Sequence, residues 1–220
     1  PLPPFRNEPI TDFAKAENRE AMASAIERVR QQLGKSYPLR IGGEDVATGG
    51  RLLDSHNPSH LSRIVGRVAM AGAEHGRAAI EKAKAAFPGW AATPARDRAE
   101  VLLTASRIMK ERRFDLAAWE VFECGKPWRE ADADVAEAID FCEFYAREMI
   151  RLAEPRRRDV PGETNACEPI PRGIAVIIPP WNFPLAIPCG MTVAALVTGN
   201  AVLLKPAEQS SVIAWHLVKI

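Results

Sequence analysis

Gly173-Ile174-Ala175-Val176-Ile177-Ile178-Pro179-Pro180-Trp181-Asn182-Phe183-Pro184 decides the fold. Its first six residues form a continuous apolar, partly β-branched run halted by two prolines, the pattern of a central strand covered on both faces in a parallel sheet. Pro184 can occupy the first turn of a helix that runs through residues 194–198, with Gly199 as its terminator. Asn200-Ala201-Val202-Leu203-Leu204 then reads as a second buried strand. Strand, helix, strand in that order is a right-handed crossover, and sheets built this way bind ligands beyond the carboxyl ends of their strands. Asn182 and Lys205 both fall at those ends.

Just upstream, the run Arg156-Arg157-Arg158 reads as a solvated connector, and residues 159–172, with Pro161-Gly162 and two further prolines, as an excursion able to form a hairpin. Residues 74–154 are Ala-rich and charged. Three or four helices are legible there, with breaks at Pro88-Gly89, Thr93-Pro94 and Gly125-Lys126-Pro127. In the clearest, about residues 130–152, Val135, Ile139, Cys142 and Tyr145 make an apolar stripe. Asp132, Glu137, Asp140 and Glu143 lie on other faces, where acids are ordinarily solvated.

At the amino-terminal side, Met22, Ile26, Val29 and Leu33 share one helical face ahead of Gly34. Tyr37, Leu39 and Ile41 alternate before Gly42-Gly43, and residues 63–68 follow the turn-prone Asn57-Pro58, so both segments read as short strands. Residues 211–220 read as an amphipathic helix. The predicted class is α/β. An amino-terminal helical layer with short strands (1–154) leads through a connector or hairpin (155–172) to the first strand-helix-strand unit of a Rossmann-like parallel sheet (173–220).

Composition narrows the function. Lys and Arg total 29 against 28 Asp and Glu, so the net charge of +1 gives no long-range field to gather nucleic acid or an anionic membrane. No apolar run approaches the roughly 20 residues that span a bilayer, and residues 1–7 hold no signal-like stretch, which points to the cytoplasm. Cys124, Cys142, Cys167 and Cys189 show no C-x-x-C pairing and read as reduced thiols. His56 and His60 are four apart, as helical metal ligands are, but Asn57-Pro58-Ser59 between them favours a turn, so no metal site is assigned.

A side-chain amide at a strand end, beside a helix amino terminus, can donate to an oxygen that becomes negative as a carbonyl is attacked. Asn182 is the candidate for that role. Lys205 and Glu208, after the second strand, can hydrogen-bond the ribose hydroxyls of a dinucleotide, and Glu208 would repel a 2′-phosphate. The G-x-G-x-x-G fingerprint is absent, with Pro-Pro-Trp-Asn-Phe-Pro in its place. Spacing alone therefore leaves plainer roles open: a turn residue for Asn182, a solvated charge for Lys205, and core packing for Trp181 and Phe183.

Pro180-Trp181-Asn182-Phe183-Pro184, then Gly199-Asn200, then Lys205-Pro206-Ala207-Glu208-Gln209-Ser210 resembles the aldehyde dehydrogenase superfamily. The resemblance takes in nearly the whole chain, including Asn57-Pro58, Phe87-Pro88-Gly89-Trp90 and Glu123-Cys124-Gly125-Lys126-Pro127. The opening Pro3-Pro4-Phe5-Arg6-Asn7-Glu8-Pro9 and residues 130–141 are similar to the pyrroline-5-carboxylate dehydrogenase branch, which oxidises glutamate γ-semialdehyde to glutamate in proline breakdown. The resemblance implies NAD as cofactor and places Ile178, Pro179, Pro180, Trp181, Asn182, Lys205, Pro206, Ala207 and Glu208 along the cofactor cleft. It gives Asn182 the oxyanion role, and sets Glu137 and Phe183 at the aldehyde tunnel. It also implies a homo-oligomer, at least a dimer, with residues 159–172 contributing a bridging hairpin.

The family reaction requires a cysteine nucleophile and a water-activating glutamate that follow the second strand by many residues. The 220 residues are thus expected to be an inactive piece of the enzyme. Cys189, in an apolar helix with no acid or base beside it, reads as packing. Two other readings stay open: a dehydrogenase domain for another aldehyde or of a bifunctional proline-oxidising protein, and a non-catalytic dinucleotide-binding or interaction module.

Overall fold

The structure, a computed structural model, describes residues 2–220. Helix α1 (Ala16–Arg30) buries Met22, Ala25 and Val29 and ends before Gly34, whose φ of 80° belongs to the left-handed region that glycine occupies without strain. The predicted strand around residues 37–41 is two strands, β1 (Lys35–Tyr37) and β2 (Leu39–Ile41), because Pro38 has no N–H to continue a ladder. β2 pairs antiparallel with β3 (Glu44–Val46). β1 joins β4 (Leu52–Asn57) and β5 (His60–Ala69) in the order β1-β5-β4. The turn expected between His56 and His60 separates β4 from β5.

Four helices follow: α2 (Ala73–Ala92), α3 (Ala95–Glu111), α4 (Arg113–Cys124) and α5 (Trp128–Leu152). The break expected at Pro88-Gly89 does not occur, and α2 runs through it. Pro88 is exposed, so water can satisfy the carbonyl it leaves free, and the Trp90 indole N–H donates to Leu196 O at 2.9 Å beyond it. The other breaks stand, with Gly125 at φ 68° ending α4. Leu102, Leu116, Trp119, Val135, Ile139 and Cys142 form the centre of the core, each large apolar side chain contributing roughly 1.5–3 kcal/mol by leaving water.

The connector carries a short hairpin, β6 (Arg156–Arg157) against β7 (Ala166–Cys167), its residues exposed. β8 (Ile174–Ile177) then crosses through α6 (Ala186–Val197) to β9 (Ala201–Leu204), and the two strands pair in parallel from Ile174↔Ala201 to Ile177↔Leu204. The chain is of the α/β class, a helical layer beside a two-stranded parallel sheet. Cover of β8 is incomplete: Ile177 is buried but Val176 is 58% exposed, since successive side chains of a strand face opposite sides. Helix α6 begins two residues after Pro184, which lies in the preceding turn, while Pro188 takes the first-turn position. Helix α7 (Ser211–Val218) buries Val212, Ile213, Ala214 and His216, so it is more enclosed than an amphipathic surface helix. No helix among the described residues is long and apolar enough to cross a membrane.

The acids of α5 are not a solvated face. Asp132 is fully buried, paired with Arg113 at 2.6 and 2.8 Å, and accepts from the N–H and hydroxyl of Thr11. Asp140 accepts from Glu8 N and the Asn7 amide, Glu143 from Ser106 Oγ, and Arg147 donates to Pro3 O. Residues 3–11 therefore lie as an extended arm along α5. Helical periodicity could not reveal this, because the arm residues lie more than 100 positions away in sequence from the α5 side chains they meet.

Candidate functional site

The segment after β8 turns back into α6 at the carboxyl edge of the sheet, and Lys205 N donates to Ile177 O at 2.9 Å, carrying the ladder one step past β9. Pro179 is buried and anchors the segment, while Ile178 and Trp181 stand 65% and 54% exposed beside the exposed Pro180. Pro206 and Ala207 are half-buried, and the Lys205 ammonium lies 2.8 Å from the Glu208 carboxylate with both side chains open to solvent. That contact holds the Glu208 carboxyl below its usual range.

Asn182 and Phe183 face a second group. With Glu137, Lys126, Asp134, Glu130, Cys124 and the intervening small residues they line a cavity of about 330 Å³ between the α4–α5 turn and the amino end of α6. Burial, and then the neighbouring Asp134 charge, raises the Glu137 carboxyl above its ordinary value, with Lys126 opposing. The structure thus brings Glu137, Asn182 and Phe183 to one cavity and sets Lys205 and Glu208 at the adjoining strand end.

Two residues that shape this cavity were not anticipated. α6 has no side-chain cap of its own, and the carboxylate of Asp134 supplies one from α5, its Oδ2 accepting from Leu185 N at 3.0 Å and Ala186 N at 3.2 Å. Its Oδ1 lies 3.3 Å from the Lys126 ammonium, which is 3.6 Å from Glu120 and 5.0 Å from the centre of the Phe183 ring. Glu120 is fully buried and its pKa is raised well above the ordinary value, chiefly by burial and then by Asp134. The Glu120 carboxyl oxygens and Asp134 Oδ1 complete no hydrogen bond among the described residues, and the raised Glu120 pKa favours its protonated form, which can donate. Asp134 stands four residues before the buried Ala138, beside the apolar stripe of α5, a placement whose burial only the structure reveals.

None of the four cysteines resembles an activated thiol. Cys189 is buried, 3.7 Å from Cys142 Sγ, and its thiol is pushed well up by that contact and by burial. Cys124 is raised by burial and by nearby carboxylates, and Cys167 is on the exposed hairpin.

Comparison with known proteins agrees with this architecture. The sequence profile of the aldehyde dehydrogenase family matches residues 46–220. The chain is 49% identical to a 1-pyrroline-5-carboxylate dehydrogenase of Geobacillus kaustophilus over 99% of its own length and 42% of the relative's. A 1-pyrroline-5-carboxylate dehydrogenase 2 of Bacillus subtilis is 46% identical over the same shares. Among solved structures, a Thermus 1-pyrroline-5-carboxylate dehydrogenase with bound NAD superposes with a TM-score of 0.96 at 46% identity, covering 99% of this chain and 42% of that one. Proline utilization A from Bdellovibrio bacteriovorus also gives 0.96, at 43% identity, over the whole of this chain and 23% of that one. The chain therefore spans about 42% of the length of the curated relatives it matches, and it belongs to the aldehyde dehydrogenase family.

Proposed function

We propose that the chain forms part of the active site of an NAD-dependent dehydrogenase that oxidises L-glutamate γ-semialdehyde to L-glutamate. The observation that carries this reading is the meeting of Asn182, Phe183 and Glu137 in one cavity beside the carboxyl ends of β8 and β9. The Asn182 amide donates to the aldehyde oxygen as it gains negative charge. Phe183 flanks the carbon chain of the substrate, and the Glu137 carboxylate attracts its ammonium group.

The residues present fit NAD. Exposed Ile178 and Trp181 offer apolar surface at the strand ends, with Pro179, Pro180, Pro206 and Ala207 shaping the cleft, and the Lys205–Glu208 pair presents a donor and an acceptor to ribose hydroxyls. NAD held there would supply the hydride acceptor for oxidation at the aldehyde carbon. The ionised Glu208 disfavours a 2′-phosphate. We assign the nucleophilic thiolate and the water-activating glutamate to sequence outside these 220 residues, since Cys142 and Cys189 are buried, Cys124 resists ionisation and Cys167 is on the hairpin. On this reading the 220 residues alone do not turn over, and the complete protein is a homo-oligomer bridged through the β6–β7 hairpin.

The test compares turnover of glutamate semialdehyde by the complete protein with that of simple aliphatic aldehydes. Preference for glutamate semialdehyde with NAD supports the assignment, and equal turnover of propanal overturns the substrate.

A further inference from the structure

We propose that Lys126 is a positioning residue for the aldehyde subsite, its ammonium fixing the ring of Phe183 by a cation–π contact while Asp134 ties the same ammonium to the start of α6. The inference rests on the reading of Phe183 as a wall of that subsite. Three observations converge on it. The Lys126 side chain is only 14% exposed, and its ammonium lies 5.0 Å from the Phe183 ring centre, within the range at which a cation is attracted to a ring face. Asp134 Oδ1 lies 3.3 Å from that ammonium while Oδ2 receives the N–H groups of Leu185 and Ala186. The Asn182 side chain makes no hydrogen bond among the described residues and the Phe183 ring can make none, so the segment entering α6 is held through Asp134 and Lys126.

The contacts form a closed loop. Asp134 grips the backbone two and three residues past Phe183, Lys126 grips the ring, and the carboxylate and ammonium grip each other. Glu120, from α4, is the third group on the ammonium, and Gly125 at φ 68° turns the chain so that Lys126 points back over the cavity. Loss of the ammonium frees the ring to rotate into the space the substrate chain occupies, so the effect falls on aldehyde binding and leaves NAD binding intact.

The experiment uses the complete protein and propanal, which carries neither ammonium nor carboxylate. Lys126→Met is expected to raise KM for propanal roughly threefold to twentyfold, the fold-change of one cation–π contact, with kcat and the Kd for NAD little changed. Lys126→Arg restores KM, since a guanidinium makes the same contacts. In a Phe183→Leu background Lys126→Met adds nothing further. Stepwise fluorination of Phe183, which drains the ring face without changing its shape, raises KM with each fluorine, and the ¹⁹F resonance of 4-fluorophenylalanine at 183 shifts in Lys126→Met. A flat fluorination series overturns the proposal, as do independent, multiplying effects of the two substitutions. Should Lys126→Met fail to fold, the fluorination series alone decides. Loss of preference for glutamate semialdehyde over propanal bears on the proposed substrate only, because every arm here reads propanal.

Discussion

Asp134 on α5 and Leu185 at the mouth of α6 are joined across 51 positions of sequence by a 3.0 Å hydrogen bond from the Leu185 N–H to the Asp134 carboxylate. The helix that follows the Asn182-Phe183 turn is therefore capped from outside itself. Asp134→Ala removes the cap and leaves Lys126 with fewer partners in a mostly buried place. The expected loss is about 3 kcal/mol or more, read from denaturant unfolding of the complete protein. Asp134→Asn keeps an acceptor for the two N–H groups and should recover part of it.

Asn182 is predicted to act on rate rather than on folding. Its side chain is exposed and forms no hydrogen bond among the described residues, so Asn182→Ala should leave the thermal midpoint within about 2 °C, the range of a surface change. Loss of one oxyanion donor should lower kcat by about 10²- to 10³-fold, measured as NADH formation at saturating aldehyde.

Glu208 should govern the choice between NAD and its 2′-phosphorylated form. Glu208→Gln removes a carboxylate from the proposed ribose site, and the ratio of kcat/KM for NAD over NADP should fall about tenfold. An unchanged ratio would remove Glu208 from cofactor selection.

Two buried groups near α7 give opposite pH dependences. Burial pushes the Glu123 carboxyl up to about 7, against the Val212 N–H, Ile213 N–H and Ser55 hydroxyl that hold it down. Its folded value exceeds the unfolded one of 4.5, so its contribution is complete below about pH 4.5 and is lost as pH rises through 7. His216, stacked on Trp119 with ring centres 4.5 Å apart, is lowered to about 4 by burial and then by the charges of Arg112 and Lys35. Its contribution is complete above its ordinary 6.5 and is lost as pH falls through 4. Thermal midpoints across pH 4–8 should therefore show Glu123→Gln least stable relative to the parent near pH 5 and recovering by pH 8, and His216→Phe the reverse.

The parallel crossover was legible because buried strands advertise themselves as unbroken apolar runs, as Ile174–Ile177 and Ala201–Leu204 do. β4 was not, because its inward positions are the polar Ser55 and Asn57, the first buried against the distant Glu123 and the second accepting from Ser59 N in the turn. The same limit hid Lys126 and Asp134. Gly125-Lys126-Pro127 announces a chain reversal, but not that the lysine faces an aromatic ring 57 positions later. Local pattern reports what a residue does to its own element, whereas these residues act on someone else's.

The extended arm that lies on α5 sets a length as well as a contact. Pro3 and Thr11 engage Arg147 and Asp132, which are separated by about 22 Å of helix at ~1.5 Å per residue. The intervening arm reaches about 26 Å when stretched at ~3.3 Å per residue. It is a splint with about one residue of slack, so its tolerance is for side-chain exchange at positions such as Arg6 more than for a change in residue count: removing two residues between the anchors would leave about 20 Å of arm at ~3.3 Å per residue for the span of about 22 Å and release one of its anchors on the longest helix.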